Sequence, residues 1–219
     1  MIADTLRRIS GNLYSFGRNN YGQLGLGDTT NRSSPTKVGI KTWTTVASGQ
    51  LHSLAIDSDG YLYTFGYNDS GQLGLGDTTT RKSPTKVGTD TWTVVTGGYY
   101  HSLAIDSDGY LYSWGQNNYG QLGQGGSDGN SHPTPTKVGT KTWTTVVGGG
   151  LHSLAIDTDG YLYSWGRNTY GQLGLGDTST RYAPVKVGTK TWIAAAGGYY
   201  HSLAINSDGY LYSFGYNNY

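Results

Sequence analysis

A unit of about 50 residues recurs along the whole chain, and this repetition restricts the fold more than any other feature of the sequence. Leucine–tyrosine pairs begin at Leu13, Leu62, Leu111, Leu162 and Leu211. One tryptophan and one histidine of each unit keep the same rhythm: Trp43, Trp92, Trp143, Trp192, His52, His101, His152 and His201. We predict a leader of residues 1–10 and one repeat domain over 11–219, with units 13–61, 62–110, 111–161 and 162–210 and a partial unit 211–219.

One unit contains four short segments typical of β-strands. Aromatic and β-branched residues dominate Tyr61–Phe65 and Trp92–Val95, and a shorter extended segment, Pro84–Val87, lies between them. The fourth segment, His101–Ile105, follows after Gly97-Gly98. Asp106–Gly109 has the composition of a hairpin turn, in which glycine adopts positive φ. Four strands per unit predict an all-β protein, a β-propeller whose four-stranded blades bury their faces against their neighbours.

The composition argues against several classes of function. The chain has no cysteine, which excludes disulfides and thiol catalysis, and a net charge of +1, which gives no reason to expect binding to nucleic acid. No segment is long and apolar enough to cross a membrane as a helix, and residues 1–10 lack the pattern of a secretion signal. We therefore expect no nucleic-acid or membrane partner, and a cytoplasmic or virion-associated location.

No group of residues indicates catalysis, a cofactor or a metal ion. The Asp-x-Asp-Gly turns lack the glutamate that a calcium loop needs, and the glycine-rich loops lack the lysine of a phosphate-binding loop. Four identical His-Ser pairs are better explained by a requirement of every blade than by one catalytic triad. We therefore predict a protein without enzymatic activity, in which the repeated tryptophans and histidines are structural.

Some tyrosines occupy positions that vary between units, so the fold does not require them there. Tyrosine at such positions provides a large contact area at low cost in side-chain entropy and is frequent in binding surfaces. We predict that the following residues contact a partner: Tyr67, Tyr99, Tyr100, Tyr199, Tyr200 and Tyr216. The alternative is that they only fill loops.

The unit resembles the regulator-of-chromosome-condensation repeat. The resemblance rests on three motifs in fixed order: Leu-Tyr-Ser-Trp-Gly-x-Asn-x-x-Gly-Gln-Leu-Gly-x-Gly, then Pro-x-x-Val, then Gly-Gly-x-x-His-Ser-Leu-Ala-Ile-x-x-Asp-Gly. It implies a β-propeller, usually of seven blades, with a protein-binding surface rather than one shared chemistry. Members of the family include a nucleotide-exchange factor for a small nuclear GTPase.

Four units and a fragment are too few for seven blades, and Leu13–Tyr21 is nearly repeated by Leu211–Tyr219. Three explanations remain: two chains close one eight-bladed ring, the sequence is part of a longer propeller, or the array is engineered or recently amplified and has no specific ligand. We favour a homodimer. The predicted function is a non-catalytic scaffold that binds a protein, or a glycan on a surface, through its aromatic loops. The alternative is exchange-factor activity on a small GTPase.

Overall fold

A computed structural model describes residues 10–218, and all regular secondary structure in this range is β-strand. The predicted leader lies almost entirely outside the described residues. The strands are β1 (Tyr14–Gly17), β2 (Arg32–Lys37), β3 (Trp43–Ser48), β4 (His52–Asp57), β5 (Tyr61–Gly66), β6 (Arg81–Gly97), β7 (His101–Asp106), β8 (Tyr110–Gln116), β9 (Ser131–Gly148), β10 (His152–Asp157), β11 (Tyr161–Gly166), β12 (Arg181–Gly197), β13 (His201–Asn206) and β14 (Leu211–Gly215).

Strands β3 to β14 are paired in chain order, each antiparallel to the next. The long strands β6, β9 and β12 each belong to two blades, because their first part pairs with the preceding strand and their second part with the following one. This gives three four-stranded blades, which we number 1 to 3 after β4, β7 and β10. Blade 4 consists of the end of β12 with β13 and β14, and β1 and β2 form a separate two-stranded sheet. The predicted β-propeller architecture is confirmed.

The sequence pattern predicted two separate strands where the structure has one. The segments Pro84–Val87 and Trp92–Val95 are both contained in β6, which runs without interruption from one blade to the next. Gly88 lies between them with a φ of 55°, a conformation that glycine adopts without steric cost, and the pairing register shifts there. A bend at this glycine therefore connects two blades without a loop.

The hydrophobic core lies between neighbouring blades. Trp92 packs edge-on against Tyr112 with ring centroids 5.2 Å apart, and it belongs to the same cluster of buried side chains as Leu62 of the preceding blade. The four repeated tryptophans are buried, with at most 7% of their surface exposed: Trp43, Trp92, Trp143 and Trp192. Burying a large aromatic side chain in each interface stabilises the stacking of the blades.

Each buried histidine also connects two blades. His52 Nε2 lies 2.8 Å from Ser102 Oγ, and that hydroxyl donates to the carbonyl oxygen of Gln72 at 2.8 Å. Because a carbonyl only accepts, the hydroxyl proton points to Gln72 and the imidazole must donate its Nε2–H to the serine. The same arrangement recurs for His101 with Ser153 and for His152 with Ser202.

The imidazoles of these three histidines are held in the neutral form by burial. Burial lowers the pKa of His52 and of His152 from 6.5 to about 4. The pKa of His101 falls to about 3, because burial is joined by repulsion from the two neighbouring histidines. His201 is exposed, since no further blade covers it among the described residues.

Candidate functional site

The loop face of the propeller carries the tyrosines predicted to contact a partner. Tyr99 and Tyr100 lie in the turn before β7, and Tyr199 and Tyr200 occupy the same turn before β13. Tyr67 directly follows β5, and its amide donates to Leu51 O at 2.9 Å. The hydrogen bond at the end of this hairpin holds the backbone that presents the side chain. All of these residues lie next to strand ends, and these strand ends are on the same side of the molecule.

Eight tyrosines form one continuous surface across this face, which we call the tyrosine surface. Its members are Tyr21, Tyr67, Tyr99, Tyr100, Tyr170, Tyr199, Tyr200 and Tyr216. Neighbouring ring centroids are 4.3 to 6.0 Å apart, within the range of favourable edge-to-face and tilted contacts. The structure thus brings together all six tyrosines that were singled out from the sequence.

Two members of the surface were missed from the sequence. Tyr21 contacts Tyr67 at 4.8 Å, and Tyr170 contacts Tyr216 at 4.7 Å. Their repeat position is also tyrosine in the third unit, and only the second unit departs from it, with Ser70. Because tyrosine occupies this position in most units, Tyr21 and Tyr170 were not distinguished from residues that the fold requires. Ser70 in the second unit was nevertheless a signal that the fold does not require tyrosine there.

The centre of the tyrosine surface depends on Gly150. The rings of Tyr99 and Tyr199 meet at 5.2 Å although they belong to blades 2 and 4. Gly150 occupies the corresponding position of blade 3, and a Cβ atom there would lie 2.5 Å from Tyr199 O and 3.0 Å from Cγ of its ring. The backbone of Gly150 accepts from Tyr99 N at 3.1 Å and donates to Gly198 O at 3.0 Å. The absent side chain therefore lets two tyrosines meet over the intervening blade.

The pKa values of three phenols in this surface, those of Tyr67, Tyr100 and Tyr199, are raised above their usual value of 10. Tyr67 donates its hydroxyl to Asp69 Oδ2 at 2.8 Å, and this hydrogen bond, with burial, raises the pKa of Tyr67 to about 12. Burial and the hydrogen bond with Tyr99 raise the pKa of Tyr100 to about 12. Burial also raises the pKa of Tyr199. The surface therefore offers uncharged rings with hydroxyl groups at their edges.

One cation lies within the tyrosine surface. The guanidinium of Arg167 lies 5.7 Å from the ring centroid of Tyr200, 5.9 Å from that of Tyr170 and 5.1 Å from that of Tyr119. These distances allow cation–π attraction. Most other basic side chains are occupied locally: Lys86 lies 3.2 Å above the ring of Tyr61, and Arg81 pairs with Asp77 at 2.6 Å.

No group of three or more histidine, cysteine, aspartate or glutamate side chains could hold a metal ion within residues 10–218. The same range contains no helix long and apolar enough to span a membrane. Three of the four repeated histidines, His52, His101 and His152, lie within hydrogen-bond distance of a serine of the next blade. The fourth, His201, is exposed and lines a cavity together with Tyr200 and other members of the tyrosine surface.

Solved structures with the same fold are about twice as long as this chain. Yeast RCC1 (Prp20), solved with Kap60 bound, is 24% identical with a TM-score of 0.83; the match covers 94% of this chain and 52% of that one. Prp20p from Saccharomyces cerevisiae, in a study of its binding to Gsp1p and histones, is 26% identical with a TM-score of 0.81, covering 94% and 54%. Human WBSCR16 is 26% identical with a TM-score of 0.80, covering 92% and 56%. This chain therefore spans about half of each relative.

No curated protein sequence matches the chain. The Regulator of chromosome condensation (RCC1) repeat, in contrast, matches residues 10–56, 59–105, 108–156 and 159–205. A second profile of the same repeat matches residues 43–72, 92–121, 143–172 and 192–219. Together these matches cover nearly the whole chain. Each match of the second profile lies within one blade, whereas each match of the first extends from one blade into the next. The chain belongs to the RCC1-repeat family.

Proposed function

We propose that this protein is a non-catalytic β-propeller scaffold that binds a protein partner through the tyrosine surface. The observation that carries the proposal is the meeting of eight tyrosines from separate loops on one face. Positions that the repeat leaves free, such as Tyr67 and Tyr99, contribute to it. Tyrosine provides rigid contact area with a polar tip, which suits protein interfaces.

The comparisons support a protein as the partner. One solved relative is yeast RCC1 (Prp20) with Kap60 bound. Another is the structure of Prp20p, which was described together with its binding to Gsp1p and histones. They share the fold with this chain, and their partners are proteins. Tyrosine rings make up most of the face, so contact area and hydroxyl hydrogen bonds would provide much of the affinity.

Selection from a random-peptide display library would test this proposal. The wild-type protein is compared with a variant carrying Tyr99→Ser and Tyr199→Ser, which removes the central contact of the surface. Tyr210→Ser is the control, because Tyr210 is 65% exposed and follows a turn on the opposite face. We expect peptides that bind the wild type and the control but not the double variant. Peptides that bind all three proteins equally would contradict the assigned surface.

A glycan array run on the same proteins decides between the two classes of partner. Binding of a glycan that requires Tyr99 and Tyr199, without selection of any peptide, would replace the protein partner by a surface carbohydrate. Absence of both kinds of ligand would contradict a binding role for the tyrosine surface.

We also propose that two copies of the chain assemble edge to edge into one ring, as a homodimer. The main evidence is the exposure of Leu211. Its side chain is 67% exposed, whereas its repeat equivalents are completely buried: Leu62, Leu111 and Leu162. At the other edge, a cavity of about 580 Å³ lies between the β1–β2 sheet and blade 1, lined by Phe16 and Val46 among others. Exposed apolar edges of this kind indicate a contact surface.

Light scattering on a sizing column, at several protein concentrations, tests this assembly. We expect a mass near twice 23.5 kDa for the wild type and a monomer for Leu211→Asp. The Tyr99→Ser, Tyr199→Ser variant should remain dimeric, because those residues lie on the loop face and not at the edge. A compact monomer of the wild-type chain would refute the homodimer.

A further inference from the structure

Arg167 has no acidic partner within the described part of the chain, unlike the arginines that begin the long strands. Arg81 and Arg181 each hold an aspartate at 2.6 Å, and Arg32 does the same in the first unit. Arg167 donates only its Nε–H, to Thr169 Oγ1 at 3.1 Å. Its terminal nitrogens have no hydrogen-bond acceptor among the described residues, so the fork that matches a carboxylate is left available.

The aromatic rings around Arg167 hold its guanidinium in place. The ring centroids of Tyr119, Tyr170 and Tyr200 lie 5.1 to 5.9 Å from it, and the side chain is half-buried. Restricting the side chain beforehand reduces the entropy lost when it binds a ligand, and partial burial reduces screening by water. An ion pair formed here is therefore stronger than one formed by a freely moving surface arginine.

The fold does not require arginine at this position. The corresponding residues of the other units are Arg18, Tyr67, Gln116 and Tyr216, each of which directly follows a glycine at the end of a strand hairpin. Two of them are members of the tyrosine surface. Position 167 is thus a place where the repeat varies and where a side chain meets the binding face.

We propose that Arg167 binds a carboxylate, the Asp or Glu side chain of an acidic segment in a protein partner that lies on the tyrosine surface. This inference rests on the proposed protein-binding function and adds the chemistry of the partner. The rings contact the apolar part of the segment, and the free guanidinium nitrogens form a paired hydrogen bond with its carboxylate. The other side of the surface is different, since Tyr67 is engaged there by Asp69. The positive group on one side and the negative group on the other give a bound peptide a preferred direction.

Two peptide libraries that differ at one fixed position test this inference. One contains Glu at that position and the other Gln, and both are selected on the wild type, on Arg167→Gln and on Arg18→Gln. Arg18→Gln is a matched control, because Arg18 occupies the equivalent repeat position, is exposed and forms no salt bridge among the described residues. Affinities of selected peptides are then measured by calorimetry at low and high salt.

We expect the Glu library to yield binders that lose about tenfold in affinity on Arg167→Gln and little on Arg18→Gln, consistent with loss of one charge-assisted hydrogen-bond pair. The salt dependence should fall with the same variant. Equal affinity of the wild type and Arg167→Gln for these peptides would refute the inference while the protein-binding function stands. An equal loss on Arg18→Gln would refute it as well, by indicating a diffuse effect of net charge. If neither library yields binders, both proposals fail.

Discussion

The three buried histidines predict that the protein loses much of its stability in mildly acidic solution. His52, His101 and His152 have pKa values of about 4, 3 and 4 in the folded chain, compared with 6.5 in an exposed state. As the pH falls through 6.5, the unfolded chain binds a proton at each site and the folded chain does not. The stability is therefore complete above pH 6.5 and decreases as the pH falls towards 4.

The loss can be calculated from these pKa values. At pH 5, one histidine with a pKa of 6.5 unfolded and about 4 folded lowers the free energy of unfolding by about 2 kcal/mol, so three sites remove about 6 kcal/mol. Typical domains have only about 5–15 kcal/mol in total. Asp57 adds little in this range, because its pKa is lowered from 3.8 and its carboxylate stays ionised. We therefore expect the free energy of unfolding to decrease steadily as the pH falls from 6 to about 4.

Urea unfolding monitored by tryptophan fluorescence at several pH values from 8 to 5 measures this effect. The slope of the unfolding free energy against pH should approach about 4 kcal/mol per unit, since each histidine contributes at most about 1.4. In His101→Gln one of three sites is removed, so the slope should fall by about one third even if the variant is less stable. Gln retains an N–H donor for Ser153, which lies 3.0 Å from His101 Nε2. A wild-type stability at pH 5 within about 1 kcal/mol of that at pH 8 would refute the reasoning.

Three further predictions concern the packing of the blades and the tyrosine surface. Gly150→Ala should separate Tyr99 from Tyr199, because the new Cβ would lie 2.5 Å from Tyr199 O. We expect this variant to lose peptide binding while its circular dichroism spectrum stays that of the folded protein, and unchanged binding would contradict the prediction. Trp165→Phe should cost about 1–3 kcal/mol, measured by urea unfolding, because the Nε1 donor to Gln121 O at 2.9 Å and part of the ring are lost. Leu154→Ala, at a position with no exposed surface, should cost about 2–5 kcal/mol in the same assay, and a cost under about 1 kcal/mol would mean that blades 3 and 4 are not packed as described.

The blades could be predicted from the sequence because local signals repeat with the unit. The turn glycines Gly60, Gly109 and Gly160 have φ values of 87°, 88° and 83°, the positive values that the Asp-x-Asp-Gly pattern predicts. In the first of these turns, Asp57 Oδ1 accepts from the amides of Asp59 and Tyr61, which explains the aspartate without a metal ion. Each of these features depends on a few consecutive residues, so a single unit contains all the information.

The partners of the buried histidines could not be predicted in the same way. His52 and Ser53 are adjacent in sequence, but the imidazole binds Ser102, the serine of the next blade. Ser53 instead donates to Gln23 O at 2.8 Å, on the preceding side. Because every unit has the same pair, the sequence cannot show which copy a histidine contacts. The offset is set by how far each blade is rotated relative to its neighbour, which is a property of the stacked propeller.

The tyrosine surface could be predicted only in part from the sequence. Most of its residues could be identified, but its central contact could not. Its residues were recognised because they differ between units, yet differences alone do not place Tyr99 against Tyr199, which are separated by an intervening blade. The contact also depends on the residue type at a third position, Gly150, whose lack of a side chain leaves room for the backbone and ring of Tyr199. Glycine at that position and tyrosine on both sides form one arrangement, because a side chain at residue 150 would exclude the contact. A varied position in a repeat protein therefore has to be interpreted together with its neighbours around the ring, since a small residue in one blade determines which large residues of the adjacent blades can meet.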